Sequence, residues 1–545
     1  MLQNKNTVKI SFIHIIVFIF VLLFIYLYGI NDYGLLSKDE PRYAGCALEL
    51  MENHNWIIPK FNFQDRFDKP ILFYWLIAIS YKIFGVNEFA SRLPSAISAI
   101  LLIIFTWYLS VKVLGKTAGF ISALILATSV EYIFLGRRAA TDMVLCLFFS
   151  SSLYSMYLGY FVKEIKMKIF WTFSSGIFAG LAILTKGPIA ILLPMLILTL
   201  FLLLKGKFDI KHLKVYFLIS FIAIVVSAPW YIAVHNDTNG EFTKAFFFTH
   251  NLQRFTAVVG EHPGPIWFYF PVLLLGFMPW TFFLLHAILN IYRRFMKKSF
   301  NKFIFFSLIW VIVVFTFFSL CKTKLATYIL LLFPPLSFIT GYWINILGKK
   351  YYNLLKLSII FLSVLLVFAC SILYFFVPNT ALFDIDKKLL MNTLLFTVIV
   401  LSSGLCYLFF KKLNYISLLF SFVIIIALPA IFTLTVAIKG YYNITFADLR
   451  DFASAAKTLG ATEIISFGGY KPLLVYYGRV PVDFESKKQQ VKKIKNSINN
   501  KENIFLIGYL TDLNKPIVKE NKELFRRLQI IKSGRKYFLG EIKAN

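Results

Sequence analysis

Charge is scarce in this sequence: Asp, Glu, Lys and Arg together make up 15% of its 545 residues. Acids are scarcer still, 27 against 57 Lys and Arg, which leaves a formal charge of +30. A nucleic-acid binder needs its cations on one folded face, and here they fall in short clusters between long apolar runs, which excludes nucleic acid as a partner. The five cysteines, Cys46, Cys146, Cys321, Cys370 and Cys406, form no CxxC pair and no regular spacing, so neither a zinc ribbon nor a disulfide framework is expected. There is no internal repeat, no glycine-rich phosphate loop and no HExxH motif. What abounds is apolar: 59% hydrophobic residues and a mean hydropathy of +0.72, against about 45 to 50% apolar residues in soluble domains. The chain reads as a polytopic α-helical membrane protein.

After Lys5 and Lys9, residues 10 to 30 form a first span long enough to cross a bilayer, with no small-residue cleavage site behind it. Further spans are expected at about 92 to 111, 117 to 135, 139 to 161, 169 to 185, 187 to 204, 214 to 234, 265 to 289, 302 to 320, 325 to 346, 354 to 377, 390 to 410 and 414 to 437, thirteen in all. The loops agree with an odd count that starts inside. Inner loops carry Lys112 and Lys116, then Lys163, Lys166 and Lys168, then Lys205 to Lys214, Arg293 to Lys302, Lys349 to Lys356, and Lys411 with Lys412, opposed only by Glu164 and Asp209. Outer loops hold the acids. Residues 70 to 84, apolar but short and interrupted by Lys82, are expected to be an amphipathic helix on the outer surface. The transmembrane portion is thus 1–438, with 31–91 as a long first outer loop containing amphipathic helices. Residues 439–545 change composition: TEIISFG and NIFLIGYL read as strands, and LRDFASAAKTLG, SKKQQVKKIKNSINN and NKELFRRLQ as helices, a small soluble α/β domain on the outer side.

Ionisable residues at a membrane boundary are costly and usually face a cavity, and four outer loops bring them to one level. The first reads DEPRYA, where Asp39 and Glu40 can cap a helix running through Arg42, followed by Asp65, Arg66, Asp68 and Lys69. The next, GRRAATDM, spaces Arg138 and Asp142 to pair on a helix face. TKGP brings Lys186, and CKTKLATYI brings Lys322 and Lys324. Taken singly, the lysines read as snorkelling side chains. Converging, Lys69, Lys186, Lys322, Lys324 and Arg138 would make an anion site suited to a phosphate.

The ordered set DEPRYA, NWIIP, FDKP followed by YW, TKG, HNLQRF, HPGPIWFYFPV and KTKLATYIL resembles the bacterial lipid A aminoarabinose transferases of the protein O-mannosyltransferase-like superfamily. The resemblance implies a GT-C glycosyltransferase fold and inverting transfer of a sugar from a polyprenyl (undecaprenyl) phosphate, without a nucleotide, on the periplasmic face of the bacterial inner membrane. The acceptor it implies is lipid A, with protein or another envelope glycan as the alternative. It further implies Asp39 and Asp142 as catalytic carboxylates, and Arg42, Lys69, Lys186, Lys322, Lys324 and Tyr328 around the donor phosphate. Relatives can hold a divalent metal through the acid before the KP pair and a loop histidine, which points to Asp68 and His262, with His250 in reserve, and nitrogen and oxygen ligands suit zinc. A monomer is expected. A lipid or sugar transporter stays open as a distant reading, although no symmetric halves are visible.

Overall fold

A computed structural model describes residues 10–247, 263–296, 301–376, 387–411, 413–500 and 503–543. Among them, nine helices are long and apolar enough to cross a membrane: Glu88–Leu114 (α4), Thr141–Phe161 (α7), Ile165–Lys186 (α8), Lys211–Asp237 (α10), Lys302–Leu320, Ala326–Lys350, Tyr352–Ile372, Leu389–Phe410 and Tyr415–Thr445. The protein is a multi-pass membrane protein.

Four of the thirteen expected spans take other forms among the described residues. Phe12–Leu27 (α1) and Ile189–Leu204 (α9) have 16 residues each, about 24 Å at 1.5 Å per residue against a hydrocarbon core of about 30 Å. Two more spans are broken. Lys116–Ala127 (α5) and Val130–Gly136 (α6) meet at 64°, and Tyr269–Gly276 meets the helix beginning at Thr281 at 114°. At the first break the hydroxyls of Thr128 and Ser129 turn back to the carbonyls of Leu124 and Ile125, a bond that bends helices. At the second, Pro279 has no N–H to continue the ladder. Apolarity reports depth in the membrane and says nothing of such turns, so the sequence read each pair as one rod.

The long first loop folds into Asp39–Glu52 (α2), a small hairpin of Lys60–Phe61 (β1) and Gln64–Asp65 (β2), and Leu72–Phe84 (α3). Asp39 and Glu40 occupy the first turn of α2, where acids complement the helix dipole. The hairpin turn is unusual in putting two non-glycine residues at positive φ, Asn62 and Phe63. Their N–H groups donate to the Glu49 carboxylate at 2.8 and 3.0 Å, which ties the turn to α2.

The last long helix runs on to Thr445. Beyond it, a five-stranded sheet has the order β4-β3-β5-β7-β6, with Ile464–Phe467 (β3) parallel to Val482–Asp483 (β4) and Ile504–Tyr509 (β5), and Leu528–Ser533 (β6) and Tyr537–Ile542 (β7) antiparallel. NKELFRRLQ does not form one helix: Lys522–Arg526 is helical and Leu528 opens edge strand β6. Pairing with β7 overrides the local helical pattern. This layer shares an apolar core with the first loop, Leu449, Phe452 and Leu474 packing with Leu48, Phe73 and Ile77.

Candidate functional site

Four helical segments and one loop deliver the site. α2 carries Asp39 and Arg42; the chain leaving β2 carries Asp68 and Lys69; Asp142 lies in the first turn of α7; α8 ends at Lys186; and the 3-10 turn that opens the helix Ala326–Lys350 carries Tyr328. These residues, with Tyr43, Arg138, Thr141, Thr323 and Thr327, line one polar cavity of about 170 Å³. A second cavity of about 490 Å³ is apolar, walled by Leu145, Phe149, Leu192, Leu193, Phe318 and Leu331 among others. Asp68, Lys69, Lys186 and Tyr328 line both. A charged chamber and a greasy channel thus meet at two lysines.

Each charge has a defined partner. Lys186 Nζ donates to Asp142 at 2.7 Å and lies over the Tyr328 ring, 4.7 Å from its centroid. Arg42 pairs with Asp39 at 3.3 Å and lies 5.0 Å from the centroid of Tyr470, a residue of the C-terminal layer. Arg66 donates to both oxygens of Asp68, at 2.5 and 2.8 Å, and Lys69 lies 3.9 Å from the same carboxylate. Burial, then the charges of Asp68 and Asp39, push the Tyr43 hydroxyl far above its usual pKa, so it remains a protonated donor at the cavity wall.

Several expectations take a different form. Arg138 donates to Ser37 Oγ at 2.7 Å, while Asp142 is taken by Lys186, so the i,i+4 pair expected between Arg138 and Asp142 is replaced by a longer-range one. Glu40 is fully buried, its carboxylate accepting from Arg92, Leu36 N and Ala139 N, a structural lock between the first loop and two other segments. Lys322 is exposed and Lys324 is buried, its Nζ donating to the carbonyls of Phe318 and Ser319. Neither lines either cavity. Lys324 instead neutralises the carbonyl end of the helix before it, which fits its charge to the helix dipole.

Asp68, the carboxylate expected as a metal ligand, accepts from the Arg66 guanidinium through both oxygens. No group of three or more His, Cys, Asp or Glu side chains able to hold a metal ion occurs among the described residues. His262 and His250 lie outside them. The sequence reading overlooked Tyr43, Thr141, Thr323 and Thr327, hydroxyls with no motif of their own, and Tyr470, which is brought beside Arg42 from more than four hundred positions away.

The family model described as dolichyl-phosphate-mannose-protein mannosyltransferase matches residues 68–232. The undecaprenyl phosphate-α-4-amino-4-deoxy-L-arabinose arabinosyl transferase of Yersinia enterocolitica is 32% identical over 337 residues, 61% of this chain and 60% of the relative. A second transferase so named, from Proteus mirabilis, is 32% identical over 62% of this chain and 60% of its own length. The match therefore spans less than two thirds of these relatives. In three dimensions the chain is similar to the crystal structure of ArnT from Cupriavidus metallidurans bound to undecaprenyl phosphate, with a TM-score of 0.82 and 19% identity over 97% of this chain and 98% of that one. It is similar also to the oligosaccharyltransferase AglB of Archaeoglobus fulgidus, with a TM-score of 0.55 and 14% identity over 91% and 69%.

Proposed function

We infer, from the GT-C glycosyltransferase fold that the chain has in common with those structures, that it is a membrane transferase moving a sugar from a polyprenyl phosphate to an envelope acceptor. The observation that carries this reading is the junction of the two cavities. A donor of this class is an anion joined to a long apolar chain, and Lys69 and Lys186 stand where a polar chamber opens into an apolar one.

The chemistry follows from the leaving group. In the donor, a phosphodiester carries one negative charge; when the anomeric carbon–oxygen bond breaks, the bridging oxygen keeps the electron pair and the departing prenyl phosphate carries two. Fixed cations stabilise that added charge without a general acid. Lys69 and Lys186 supply them in this reading, with Arg42 nearby. Acceptor attack from the opposite face inverts the anomeric centre. A hydroxyl acceptor must lose its proton, for which Asp39 is suited as base, whereas a phosphate oxygen is already nucleophilic and needs only orienting. Asp142 is held by Lys186, so donor phosphate and carboxylate would compete for one ammonium and couple donor binding to the carboxylate's release.

The relatives' printed names support aminoarabinose as the sugar, and lipid A is the acceptor this reading takes. Protein is the second reading, supported by the description of the matching family model. The lysine-rich loops support a site and C-terminal layer on the periplasmic face of the bacterial inner membrane. Lipid mass spectra of a strain lacking the chain and its parent test the reading: loss of a sugar-modified lipid species is expected. Turnover by the purified protein with a nucleotide sugar and no lipid carrier would reject it.

A further inference from the structure

A third cavity, of about 240 Å³, lies far from the site. It is lined by Tyr160 near the end of α7, Lys168 in the first turn of α8, Leu198 on α9, and Lys211, His212 and Tyr216 on α10. α7 and α8 fix its depth. Each runs from the candidate site, at Asp142 and Lys186, to this cavity, at Tyr160 and Lys168, and the helical rise makes that separation about 27 Å. That is close to one hydrocarbon thickness. The cavity therefore opens at the opposite membrane boundary.

Its walls are graded. Of its lining, Leu198 and Ile219 are buried, Tyr160 and Tyr216 are half-buried, and Lys168 and Lys211 are exposed. Tyrosine at the headgroup level and lysine just beyond it is the order of polarity across a lipid monolayer. Phe170, Phe217 and Phe221 on the same helices are exposed, so the cavity opens between surfaces suited to acyl chains. One acid, Asp209, is itself part of the lining, and the two neighbouring loops add Lys163, Lys166, Lys205 and Lys207 against Glu164. The Asp209 carboxylate is turned to the start of α10: its Oδ1 accepts from the Lys211 N–H at 3.2 Å and its Oδ2 lies 3.9 Å from Lys211 Nζ.

We propose that this cavity is a binding site for one anionic phospholipid of the lysine-rich leaflet, its phosphodiester between Lys168 and Lys211 and an acyl chain against Leu198 and Ile219. The occupant is argued from charge complementarity and from the apolar interior, which a free phosphate would leave unused. The proposal does not depend on the transferase reading.

Native mass spectrometry of the full-length detergent-purified chain, titrated with phosphatidylglycerol or with phosphatidylcholine of the same acyl chains, tests it. Selective retention of one phosphatidylglycerol is expected. Basic residues near an anionic lipid surface contribute about 1 kcal/mol each, so a Lys168→Ala, Lys211→Ala variant should weaken retention roughly thirty-fold. Both side chains are exposed, and an unchanged melting midpoint is expected of the variant. A Lys349→Ala, Lys350→Ala variant removes two other exposed cations and should leave retention unchanged. Equal retention of the two lipids, or equal loss in both variants, would overturn the site, the second by showing only a diffuse surface field.

Discussion

At the residue scale, the two carboxylates separate chemistry from architecture. Asp39 is an exposed first-turn acid that meets Arg42, and Asp142 is a first-turn acid gripped by Lys186. As dipole partners either would tolerate Asn well. As cavity groups that accept a proton or orient an acceptor, neither would. Asp39→Asn and Asp142→Asn are each expected to lower transfer by about 10²-fold or more while the protein inserts and purifies normally, read by transfer of sugar from a polyprenyl phosphate donor. Near-normal transfer by Asp39→Asn would remove it as base. Glu40, its neighbour, predicts the reverse pattern. Burial pushes its pKa up, but the Arg92 guanidinium and the donated hydrogen bonds outweigh that and hold it below the ordinary carboxylate range. A depressed folded pKa means that the stability is complete above the unfolded value of about 4.3 and drains away as pH falls through the lower folded value. Glu40→Gln, which strands a buried Arg92, should cost about 3 to 5 kcal/mol and remove this acid-sensitive component from melting curves taken between about pH 6 and pH 3.

At the element scale, the small hairpin decides where Asp68 and Lys69 stand. Asn62 at its tip has φ of 59°, a conformation that asparagine adopts more readily than other side chains with a Cβ. Its side chain also clasps the backbone of β4, donating to Val482 O at 2.8 Å and accepting from Val482 N at 2.7 Å. Asn62→Ala loses both bonds and meets the left-handed backbone penalty, an expected cost of about 2 to 4 kcal/mol. Asn62→Gly removes the same bonds but not the backbone freedom, so it should cost less. A thermal midpoint for Asn62→Gly as low as that for Asn62→Ala would show that the backbone contributes nothing. The same clasp joins the first loop to the C-terminal layer, as does Tyr477, whose hydroxyl donates to Glu88 at 2.7 Å and accepts from Leu35 N at 3.1 Å.

At the scale of the whole molecule, charge placement sets orientation. The lysines cluster in loops at one end of the bundle, and the candidate site and the C-terminal layer lie at the other. Lys488, exposed on the helix Lys487–Asn499, gives a handle: a Lys488→Cys variant in intact cells should react with a membrane-impermeant thiol reagent above the level of the unsubstituted chain. Reaction only after the membrane is opened would invert the topology and move Asp39 to the cytosolic side.

The sequence by itself determined the membrane class, the approximate positions of the spans, the one-sided distribution of acids and the strands β3 and β5, because apolar run length, loop charge and two-residue alternation are local quantities. Its ordered motifs also carried the likeness to a transferase family. Tertiary structure decided the rest. It broke two apolar runs at turns that hydropathy cannot register. It took Asp142 from the near Arg138 and gave it to Lys186, turned Lys324 onto backbone carbonyls, and buried Glu40 against Arg92, fifty-two positions away. Spacing along one helix says which side chains can meet. Which partner a charge takes depends on what the other helices bring within reach, and on the cost of leaving any buried charge alone.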